Sequence, residues 1–360
     1  MIVKIADNIL SPIGMTTEEN LHAVQEYRSA LTTYQRWNIP EAFMASLFAD
    51  GQLEEHSYEG ALRQSITGAL SQVPQLDVTT SRVVLVLSST KGNTTGPDGE
   101  RMGETAAHLA KHFGITTQPV TVSNACISGL SAQILAQRLL ESGAYDVAIV
   151  AGCDIQSKFI VSGFQSFKAV STEECRPFDE DRFGLNLGEA AATIIYINKE
   201  KAADEEWVLC KGAVRNDAFH ISGPSKTAEG SYRSLHQVMQ GEDASQIACI
   251  SAHGTATLYN DDMESKAIDR EGMSQTLVSG LKGYYGHTMG AAGLLETILT
   301  MHAIDEGWVP GTRGYSACGT SRELYVSGQH VPTDKRQFIK LMSGFGGCNA
   351  AALFKKGDEV

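Results

Sequence analysis

The sequence predicts an α/β protein in which layers of helices surround β-sheets. Short, apolar, β-branched runs recur along the chain and alternate with longer stretches of helical pattern. The runs lack a polar face, as expected of strands buried on both sides of a mainly parallel sheet. Ala and Gly are frequent in residues 130–142 and 289–306, which predicts helices that pack tightly inside the structure.

The predicted elements follow one another from residue 82 onward. Residues 82–88, 146–152 and 191–198 are the strongest strand candidates, because each contains four or more consecutive strand-forming or small apolar residues. No low-complexity tract or linker divides the chain, and its two halves carry a similar order of elements. The further strand candidates are residues 118–122, 208–215, 247–252, 276–280, 337–343 and 350–355, and the helix candidates are residues 104–113, 130–142, 261–270 and 289–306.

Composition restricts the classes of function. The chain has 360 residues, 42% of them hydrophobic, and a net charge of −13, which is unfavourable for non-specific nucleic-acid binding. An acidic partner would therefore need a local basic patch. Seven cysteines, an odd number without a Cys-x-x-Cys pair, argue against a disulfide framework and a zinc site. We expect no membrane association and a cytoplasmic location, because the sequence has neither a signal-peptide pattern nor a bilayer-spanning apolar run.

Cys126 lies where the strand candidate 118–122 gives way to the helix candidate 130–142. A thiol at the start of a helix meets unpaired N–H groups and the positive end of the helix dipole. That environment lowers the pKa of the thiol and predicts a nucleophile that needs no neighbouring base. The alternative is a buried, inert cysteine, which is the commoner role of this residue type.

Three further motifs lie near the ends of predicted strands. A histidine at the carboxyl end of a strand faces the crevice in which α/β sheets bind ligands. A glycine-rich turn allows close approach to a ligand, and here it lacks the Lys-Ser/Thr ending of a phosphate-binding loop. Each motif alone is weak evidence, because single histidines and glycine turns are usually structural. The motifs are Ala252-His-Gly-Thr-Ala-Thr257, Lys282-Gly-Tyr-Tyr-Gly-His287 and Gly344-Phe-Gly-Gly-Cys-Asn349.

Taken in order with the cysteine motif, these sequences resemble the β-ketoacyl-[acyl-carrier-protein] synthases of the Cys-His-His type. Residues 176–190, 217–224 and 290–296 are also similar to that family's central loop, its Asp-Ala-x-His motif and its late helix. The resemblance covers residues 80–355 well and the first 80 loosely. It implies the thiolase fold, an α/β fold with two similar βαβαβαββ halves in a five-layer αβαβα arrangement.

The resemblance assigns the halves to residues 1–200, which carry Cys126, and 201–360, which carry His253 and His287. It implies a decarboxylative Claisen condensation. Cys126 takes an acyl chain from an acyl carrier protein, and malonyl-acyl carrier protein then loses carbon dioxide and attacks that chain to give a 3-oxoacyl product. Neutral His253 and His287 would donate to the enolate oxygen, because imidazole can donate at neutral pH without being a full cation.

Other site residues follow from the same resemblance. Backbone N–H groups of Cys126 and Phe345 form the oxyanion hole, and Phe345 also gates the acyl pocket. Lys282 and Glu296 orient the site, with an ordinary buried ion pair as the alternative. No metal is implied, and no cofactor, since the phosphopantetheine arm arrives on the carrier protein.

The resemblance also implies contacts with the substrate and its carrier. Thr255 and Thr257 would contact the phosphopantetheine arm, with simple turn stabilisation as the alternative. Phe164 and Gly346 are further substrate-binding candidates. Lys168 falls where the family places a basic contact to the carrier protein, although a single surface lysine is usually just solvated.

Two departures from the family pattern concern the acyl pocket. The chain is short between Ser88 and Arg101, where the longer equivalent caps the pocket across the dimer, and Cys348 replaces the usual Thr or Ser. The acyl chain length and the pathway, fatty-acid or polyene and polyketide-like, therefore stay open. The expected partners are an acyl carrier protein, acyl and malonyl thioesters, and a second identical or related subunit.

Other functions compete with condensation. One is a non-catalytic, chain-length-determining subunit of a heterodimer, although such subunits generally lack the active cysteine. Another is a thiolase-fold acyltransferase or decarboxylase. A papain-like hydrolase also uses cysteine and histidine, but the local signature of its cysteine is absent and it leaves the second histidine unexplained.

Overall fold

The chain builds two successive series of strands and helices. The computed structural model describes residues 1–94, 101–217, 219–220 and 223–357. The first series comprises β1 (Ile2–Leu10), α1 (Thr17–Gln25), β2 (Thr32–Tyr34), β3 (Phe43–Ser46), α2 (Tyr58–Leu70), β4 (Val83–Ser88), α3 (Met102–Phe113), β5 (Val120–Val122), α4 (Ser128–Glu141), β6 (Val147–Asp154), α5 (Lys158–Ser166), β7 (Leu187–Gly188) and β8 (Ala190–Asn198). The second comprises β9 (Trp207–Asn216), α6 (Glu229–Met239), β10 (Ile247–Ser251), α7 (Leu258–Arg270), β11 (Val278–Ser279), α8 (Lys282–Tyr285), α9 (Ala292–Asp305), β12 (Trp308–Val309), β13 (Val331–Pro332), β14 (Gln337–Gly344) and β15 (Cys348–Lys356).

Five strands of each series pair in the same spatial order. The first set runs β5-β4-β6-β8-β1 and the second runs β11-β10-β14-β15-β9. When the five strands of each set are numbered in chain order, both sets have the spatial order third, second, fourth, fifth, first. One residue pair, Val3 with Val208, joins the two sets into a ten-stranded sheet. The order of the main elements is βαβαβαββ in each series, as the fold class requires. The division at residue 200 stays a prediction.

The helices lie in three layers around the two sets of strands. Helices α2 and α3 pack on the first set, α6 packs on the second with α7 beside it, and α4 and α9 lie between the sets and contact strands of both. The packing of strand β4 explains why its residues 83–87 are all apolar. Its Val84 and Val86 belong to the core around α4 and α9, whereas Leu85 and Leu87 belong to the core under α2 and α3. Side chains of alternate residues therefore fill two different cores.

The prediction of a mainly parallel sheet is wrong. Parallel pairing joins β4 to β5 and β6, and β10 to β11 and β14. The five pairings through the middle, from β6 through β8, β1, β9 and β15 to β14, are antiparallel. The burial pattern could not reveal this, because a strand covered on both faces is apolar in either direction.

All of the strands and helices predicted from residue 82 onward are present, with shifted ends. Residues 276–280 shorten to the two-residue strand β11, and residues 289–306 begin with a turn of 3-10 helix, Met289–Ala291, before α9. The first 80 residues add β1 and α2, which the sequence analysis did not identify. Among the residues described, no helix has the length and apolar character that a bilayer-spanning segment requires.

Helices α4 and α9 approach each other closely through two glycines. A Cβ atom at Gly293 would lie 2.4 Å from the backbone nitrogen of Leu130, and one at Gly129 would lie 2.7 Å from the carbonyl oxygen of Gly290. The Gln133 side chain donates a hydrogen bond of 2.9 Å to the carbonyl oxygen of Gly293. The prediction that these small-residue helices pack tightly is confirmed.

We expect Gly293→Ala to destabilise the protein, because the added methyl group would overlap backbone that cannot move alone. Overpacking of this kind costs about 1–3 kcal/mol in the free energy of unfolding. Gly103→Ala in α3 is the control, since among the described residues no atom outside its own stretch of helix lies within 4 Å of the added Cβ. Denaturant unfolding of both variants measures the difference, and equal stabilities would contradict the packing described.

Candidate active site

Cys126 lies in the tight turn between β5 and α4. The preceding residue, Ala125, has a left-handed backbone with φ of 46°. The Ser128 hydroxyl holds the turn by accepting a hydrogen bond of 2.8 Å from the Asn124 N–H and donating one of 2.6 Å to the Ala125 carbonyl. Helix α4 begins at Ser128, so Cys126 precedes the first helical residue by two positions, and only 5% of its surface is exposed.

Two histidines from the second series meet Cys126. His253 follows β10 and His287 follows α8, and both are buried. The Cys126 sulfur and one ring nitrogen of each histidine lie within 4.8 Å of one another. The imidazoles meet edge to face, with ring centroids 5.1 Å apart and planes at 81°. The three residues predicted from separate motifs therefore form one cluster.

The hydrogen bonds of His287 determine which nitrogen carries its proton. The backbone N–H of Met289 donates to Nδ1 of His287 at 3.2 Å. Nδ1 is therefore an acceptor and the proton of the neutral ring lies on Nε2, which has no partner within the described chain. His253 likewise has an unpartnered buried nitrogen, Nδ1. The cluster thus presents unused hydrogen-bonding capacity to a substrate.

Both imidazoles are neutral at neutral pH. Burial, followed by the positive charge of Lys282, lowers the pKa of His253 and of His287 well below 6.5. Neutral rings can donate hydrogen bonds to a developing negative charge without carrying a buried positive charge themselves.

The prediction of a lowered pKa for Cys126 is wrong. Burial raises the pKa of this thiol to about 11, against the opposing effects of Lys282, Lys91 and the backbone N–H of Phe345. Removing the sulfur from water therefore outweighs the favourable charges and hydrogen bond around it. The resting residue is therefore a neutral thiol.

A cysteine and two histidines are also a possible donor set for zinc. This trio is the one cluster of three metal-ligating side chains found in the described part of the chain. However, the Met289 N–H leaves the proton of His287 on Nε2, which then donates hydrogen bonds and cannot coordinate a cation. We therefore interpret the cluster as a hydrogen-bonding site.

A buried carboxylate between two lysines supports the cluster. Lys282 donates to Glu296 at 2.7 Å and also to the carbonyl oxygen of His253. Lys340, from β14, lies 2.7 Å from the other oxygen of Glu296 and donates to the carbonyl oxygens at the end of β10. Although burial raises the pKa of Glu296, Lys282 and Lys340 bring it below its usual value. The sequence analysis missed Lys340, although a lysine inside an apolar strand could have indicated it.

A second buried carboxylate fixes the backbone of the histidine loop. Glu264, on α7, accepts hydrogen bonds of 2.7 Å from the N–H groups of both His253 and Gly254. Its neighbour Asp261 accepts from the N–H of Thr255 at 2.9 Å. Burial raises the pKa of Glu264 to about 7. The sequence analysis missed this pair as well, although two acids three residues apart share one helix face.

The glycine-rich turn between β14 and β15 faces the thiol. A Cβ atom at Gly344 would lie 3.1 Å from the backbone nitrogen of Cys126, and the Phe345 N–H lies close enough to the thiol to act against the rise of its pKa. Gly346 and Gly347 have φ of 83° and 78°, a left-handed backbone that favours glycine. Gly346 is exposed and does not line the cavity described below, so its position gives no support to the predicted substrate contact.

A cavity of about 320 Å³ leads to this cluster. The Phe345 ring stacks on Phe164 and meets Phe167 edge-on, with both pairs of centroids 5.6 Å apart. Thr255 and Thr257 contribute hydroxyl groups 2.9 Å apart. Residues 95–100 of the shortened segment lie outside the described residues. The predicted site residues that line the cavity are Cys126, Phe164, Lys168, His253, Thr255, Thr257, His287 and Phe345.

Comparison with known proteins identifies the same regions. The family model "Beta-ketoacyl synthase, N-terminal domain" matches residues 88–202, and "Beta-ketoacyl synthase, C-terminal domain" matches residues 208–316. The chain is 30% identical to a putative mitochondrial 3-oxoacyl-[acyl-carrier-protein] synthase of Schizosaccharomyces pombe over 70% of its length, and to nodulation protein E of Rhizobium meliloti, also over 70%. The matches cover 64% and 65% of those two relatives.

Solved structures show the same fold. A ketosynthase in complex with its chain length factor from Xenorhabdus doucetiae matches with a TM-score of 0.86 and 23% identity, over 99% of this chain and 98% of that chain. A β-ketoacyl synthase from Burkholderia phymatum STM815 matches with a TM-score of 0.87 and 24% identity, over 99% of both chains. The predicted thiolase fold is confirmed.

We expect Cys126 to react slowly with iodoacetamide at neutral pH, because alkylation requires the thiolate and its pKa is about 11. The rate should increase about tenfold per pH unit between about pH 7 and about pH 9 without reaching a plateau. Peptide mass spectrometry after timed alkylation measures the rate at this residue. The exposed Cys318 of the same chain shows that the reagent is active. A plateau below pH 8 would indicate a thiolate at rest and contradict this assignment.

We expect Lys340→Met to be strongly destabilising, because it leaves the buried carboxylate of Glu296 with only one ammonium partner. Breaking a buried ion pair costs about 3–5 kcal/mol in the free energy of unfolding. Lys266→Met removes a partly exposed ion pair with Asp262 and should cost less than about 1 kcal/mol. Denaturant unfolding measures the free energy of unfolding of both variants. Equal losses of stability would contradict the role of Lys340 as a stabilising partner of the buried carboxylate.

Proposed function

The chain belongs to the β-ketoacyl synthase family, and from this premise we propose that it condenses an acyl chain on Cys126 with malonyl-acyl carrier protein. The product would be 3-oxoacyl-acyl carrier protein. One observation carries the proposal: a thiol, two neutral imidazoles and the Phe345 N–H converge on a single cavity. A thiol provides a nucleophile for acyl transfer, and neutral donors suit an enolate.

In the first half-reaction Cys126 takes the acyl chain. The sulfur attacks the carbonyl carbon of the acyl thioester, and the thiol proton passes to the neutral imidazole of His253, because Nδ1 of His287 accepts from Met289 and its Nε2 already carries a proton. The backbone N–H groups of Cys126 and Phe345 stabilise the oxyanion of the tetrahedral intermediate. The bond to the carrier's thiol then breaks, and that thiol leaves with the proton.

In the second half-reaction the malonyl thioester enters the same cavity. Its carbon–carbon bond to the carboxylate breaks, carbon dioxide leaves, and the electron pair becomes an enolate. His287, through Nε2–H, and His253 donate hydrogen bonds to the enolate oxygen. The carbanion attacks the acyl carbon on Cys126, the bond from that carbon to sulfur breaks, and the cysteine leaves as a thiolate that takes up one proton from solvent.

The surrounding residues serve this sequence of steps. Lys282, paired with Glu296, holds the His253 backbone, and burial together with the charge of Lys282 keeps both imidazoles neutral. Thr255 and Thr257 contact the phosphopantetheine arm with their hydroxyl groups. Phe345 turns away from Phe164 to admit the acyl chain.

The wider biological setting is also a proposal. The substrates arrive as acyl and malonyl thioesters on an acyl carrier protein, so that the enzyme needs no cofactor of its own. The protein acts in the cytoplasm as a dimer with an identical or a related subunit. The pathway is fatty-acid biosynthesis or a polyene or polyketide-like pathway.

We expect the purified protein to form 3-oxoacyl-acyl carrier protein when incubated with acyl- and malonyl-acyl carrier proteins. Cys126→Ala should abolish acyl transfer, since it removes the thiol that holds the chain. Intact mass spectrometry of the carrier and of the enzyme measures both events. If the alanine variant condenses as fast as the unmodified protein, Cys126 is not the nucleophile.

Cys126→Gln separates the roles of the thiol and the imidazoles. It should retain malonyl decarboxylation while losing condensation, because the histidines remain. Adding His287→Ala should lower decarboxylation by about 10²–10³, the usual effect of removing one donor to a developing oxyanion. Thermal unfolding controls for folding of each variant. Unchanged decarboxylation after the loss of His287 would contradict the two-histidine assignment.

A further inference from the structure

Lys340 is a fully buried lysine that takes no part in the steps proposed above. It lies in β14, and none of its surface is exposed. The described residues that line the cavity do not include it, so it does not touch a substrate held there. Burying an ammonium group is strongly unfavourable unless the charge is paired and hydrogen-bonded. The groups that satisfy this charge therefore indicate what the residue does.

The Lys340 ammonium group holds the end of β10. It donates to the carbonyl oxygen of Ser251 at 2.9 Å and to that of Ala252 at 3.0 Å, and it lies 2.7 Å from the carboxylate of Glu296. These three partners match the three protons of the group. Parallel pairing of β10 with β14 places Ser251 beside Lys340. Since Ser251 and Ala252 directly precede His253, Lys340 fixes both peptide groups before the histidine.

The next carbonyl oxygen along the chain is held in the same way. Lys282 donates to the carbonyl oxygen of His253 at 2.5 Å and shares Glu296 with Lys340. Three successive carbonyl oxygens, from residue 251 to residue 253, are thus bound by two ammonium groups that one carboxylate joins. Fixing these peptide groups also fixes the direction in which the His253 side chain leaves the backbone.

Lys340 also connects the histidine loop to the turn that faces the thiol. Strand β14 continues from Lys340 to Gly344, and Phe345 follows directly. A Cβ atom at Gly344 would lie 3.1 Å from the backbone nitrogen of Cys126, so this end of the strand adjoins the thiol. The ammonium group therefore ties the backbone of His253 to the strand that ends against Cys126.

The charge of Lys340 acts on the His253 ring in addition to its contacts with the backbone. Burial, then Lys282, His287 and Lys340, lowers the pKa of His253. Burial also lowers the pKa of Lys340, and Glu296 opposes that effect. A positive charge nearby disfavours the imidazolium form. The charged and titratable side chains that face His253 or Lys340 are Lys282, Glu264, Glu296, His287 and Cys126.

We propose that Lys340 is a positioning residue for acyl transfer: it fixes the peptide groups before His253 and keeps that ring free to accept the Cys126 proton. The inference rests on the proposed function for the step that Lys340 serves. Its effect on His253, however, is a property of the folded protein and can be measured without any reaction.

The first test is nuclear magnetic resonance of the full-length protein with ¹⁵N in its histidine rings, between about pH 5.5 and about pH 8. The ring nitrogens report the charge and the tautomer, and the His253 signals are those lost in His253→Asn. We expect His253 to be protonated at higher pH in Lys340→Met than in the unmodified protein, because one repelling charge has been removed.

The second test is the rate at which Cys126 is acylated by octanoyl-acyl carrier protein of a type II fatty-acid synthase, followed by intact mass spectrometry. Rates are divided by the folded fraction. We expect Lys340→Met to be about tenfold slower at about pH 8, because His253 is misplaced. The deficit should grow at about pH 6, where the variant's His253 is protonated and cannot accept the proton. A loss of stability alone would leave the corrected rates equal.

Two further variants complete the design. Lys335 donates at 3.2 Å to the carbonyl oxygen of Ile247, at the opposite end of β10, and it is exposed. Lys335→Met is therefore the matched control, and it should leave the His253 titration unchanged and the rates within about twofold. Lys340→Gln keeps a neutral hydrogen-bond donor in place of the ammonium group and should be less destabilising. It too should raise the pH at which His253 is protonated.

The outcomes separate this inference from the proposed function. An unchanged His253 titration in the two Lys340 variants overturns it, and so does an equal effect of Lys335→Met. If neither Lys340 variant folds, the residue serves the fold itself and the inference is also overturned. If the titration changes as expected but the unmodified Cys126 takes no acyl chain, the effect of Lys340 on His253 stands and the proposed reaction fails.

Discussion

The buried carboxylate of Glu296 is the electrostatic centre on which the site depends. It lies between Lys282 and Lys340, each 2.7 Å away, and none of the three groups is exposed by more than 3% of its side chain. Each charge alone would be too costly to bury, and together they leave one net positive charge beneath the cluster. That excess charge acts on the two histidines, whose pKa values it lowers in the same direction as burial does. The same ammonium of Lys282 holds the His253 backbone in place.

Before any reaction, the thiol and the two imidazoles of the site are uncharged. The Cys126 thiol is protonated because burial raises its pKa to about 11, and both imidazoles are neutral because burial lowers theirs. Charge would therefore appear only during a reaction, at an oxyanion or an enolate. Donors that are already oriented stabilise such charge most strongly where water is absent. A thiol that is protonated at rest is consistent with this arrangement, since a ring nitrogen of each neutral histidine lies within 4.8 Å of it.

Sequence reasoning succeeded where a local pattern decides the structure. Cys126, His253 and His287 could be identified because each follows a recognisable strand or helix signal and belongs to a specific motif. Lys340 and Glu264 were missed, because what they contact depends on packing between distant segments. The predictions of the direction of the central strands and of the pKa of Cys126 were wrong for the same reason. Both depend on what covers a residue, and burial by another part of the chain is not visible in a local motif.

Contacts between the two halves determine the geometry of the cluster. Asp154, at the end of β6, accepts hydrogen bonds from the Ser89 hydroxyl at 2.6 Å and from the N–H of Gly290 at 2.6 Å. Gly290 follows Met289, which donates to His287, so a carboxylate of the first series anchors the turn that orients a histidine of the second. Gly129 adjoins the same turn, because a Cβ there would lie 2.7 Å from the Gly290 carbonyl. The distance from the thiol to its donors is therefore determined by backbone contacts between the halves, and a substitution that separates α4 from α9 would act on the site without touching it.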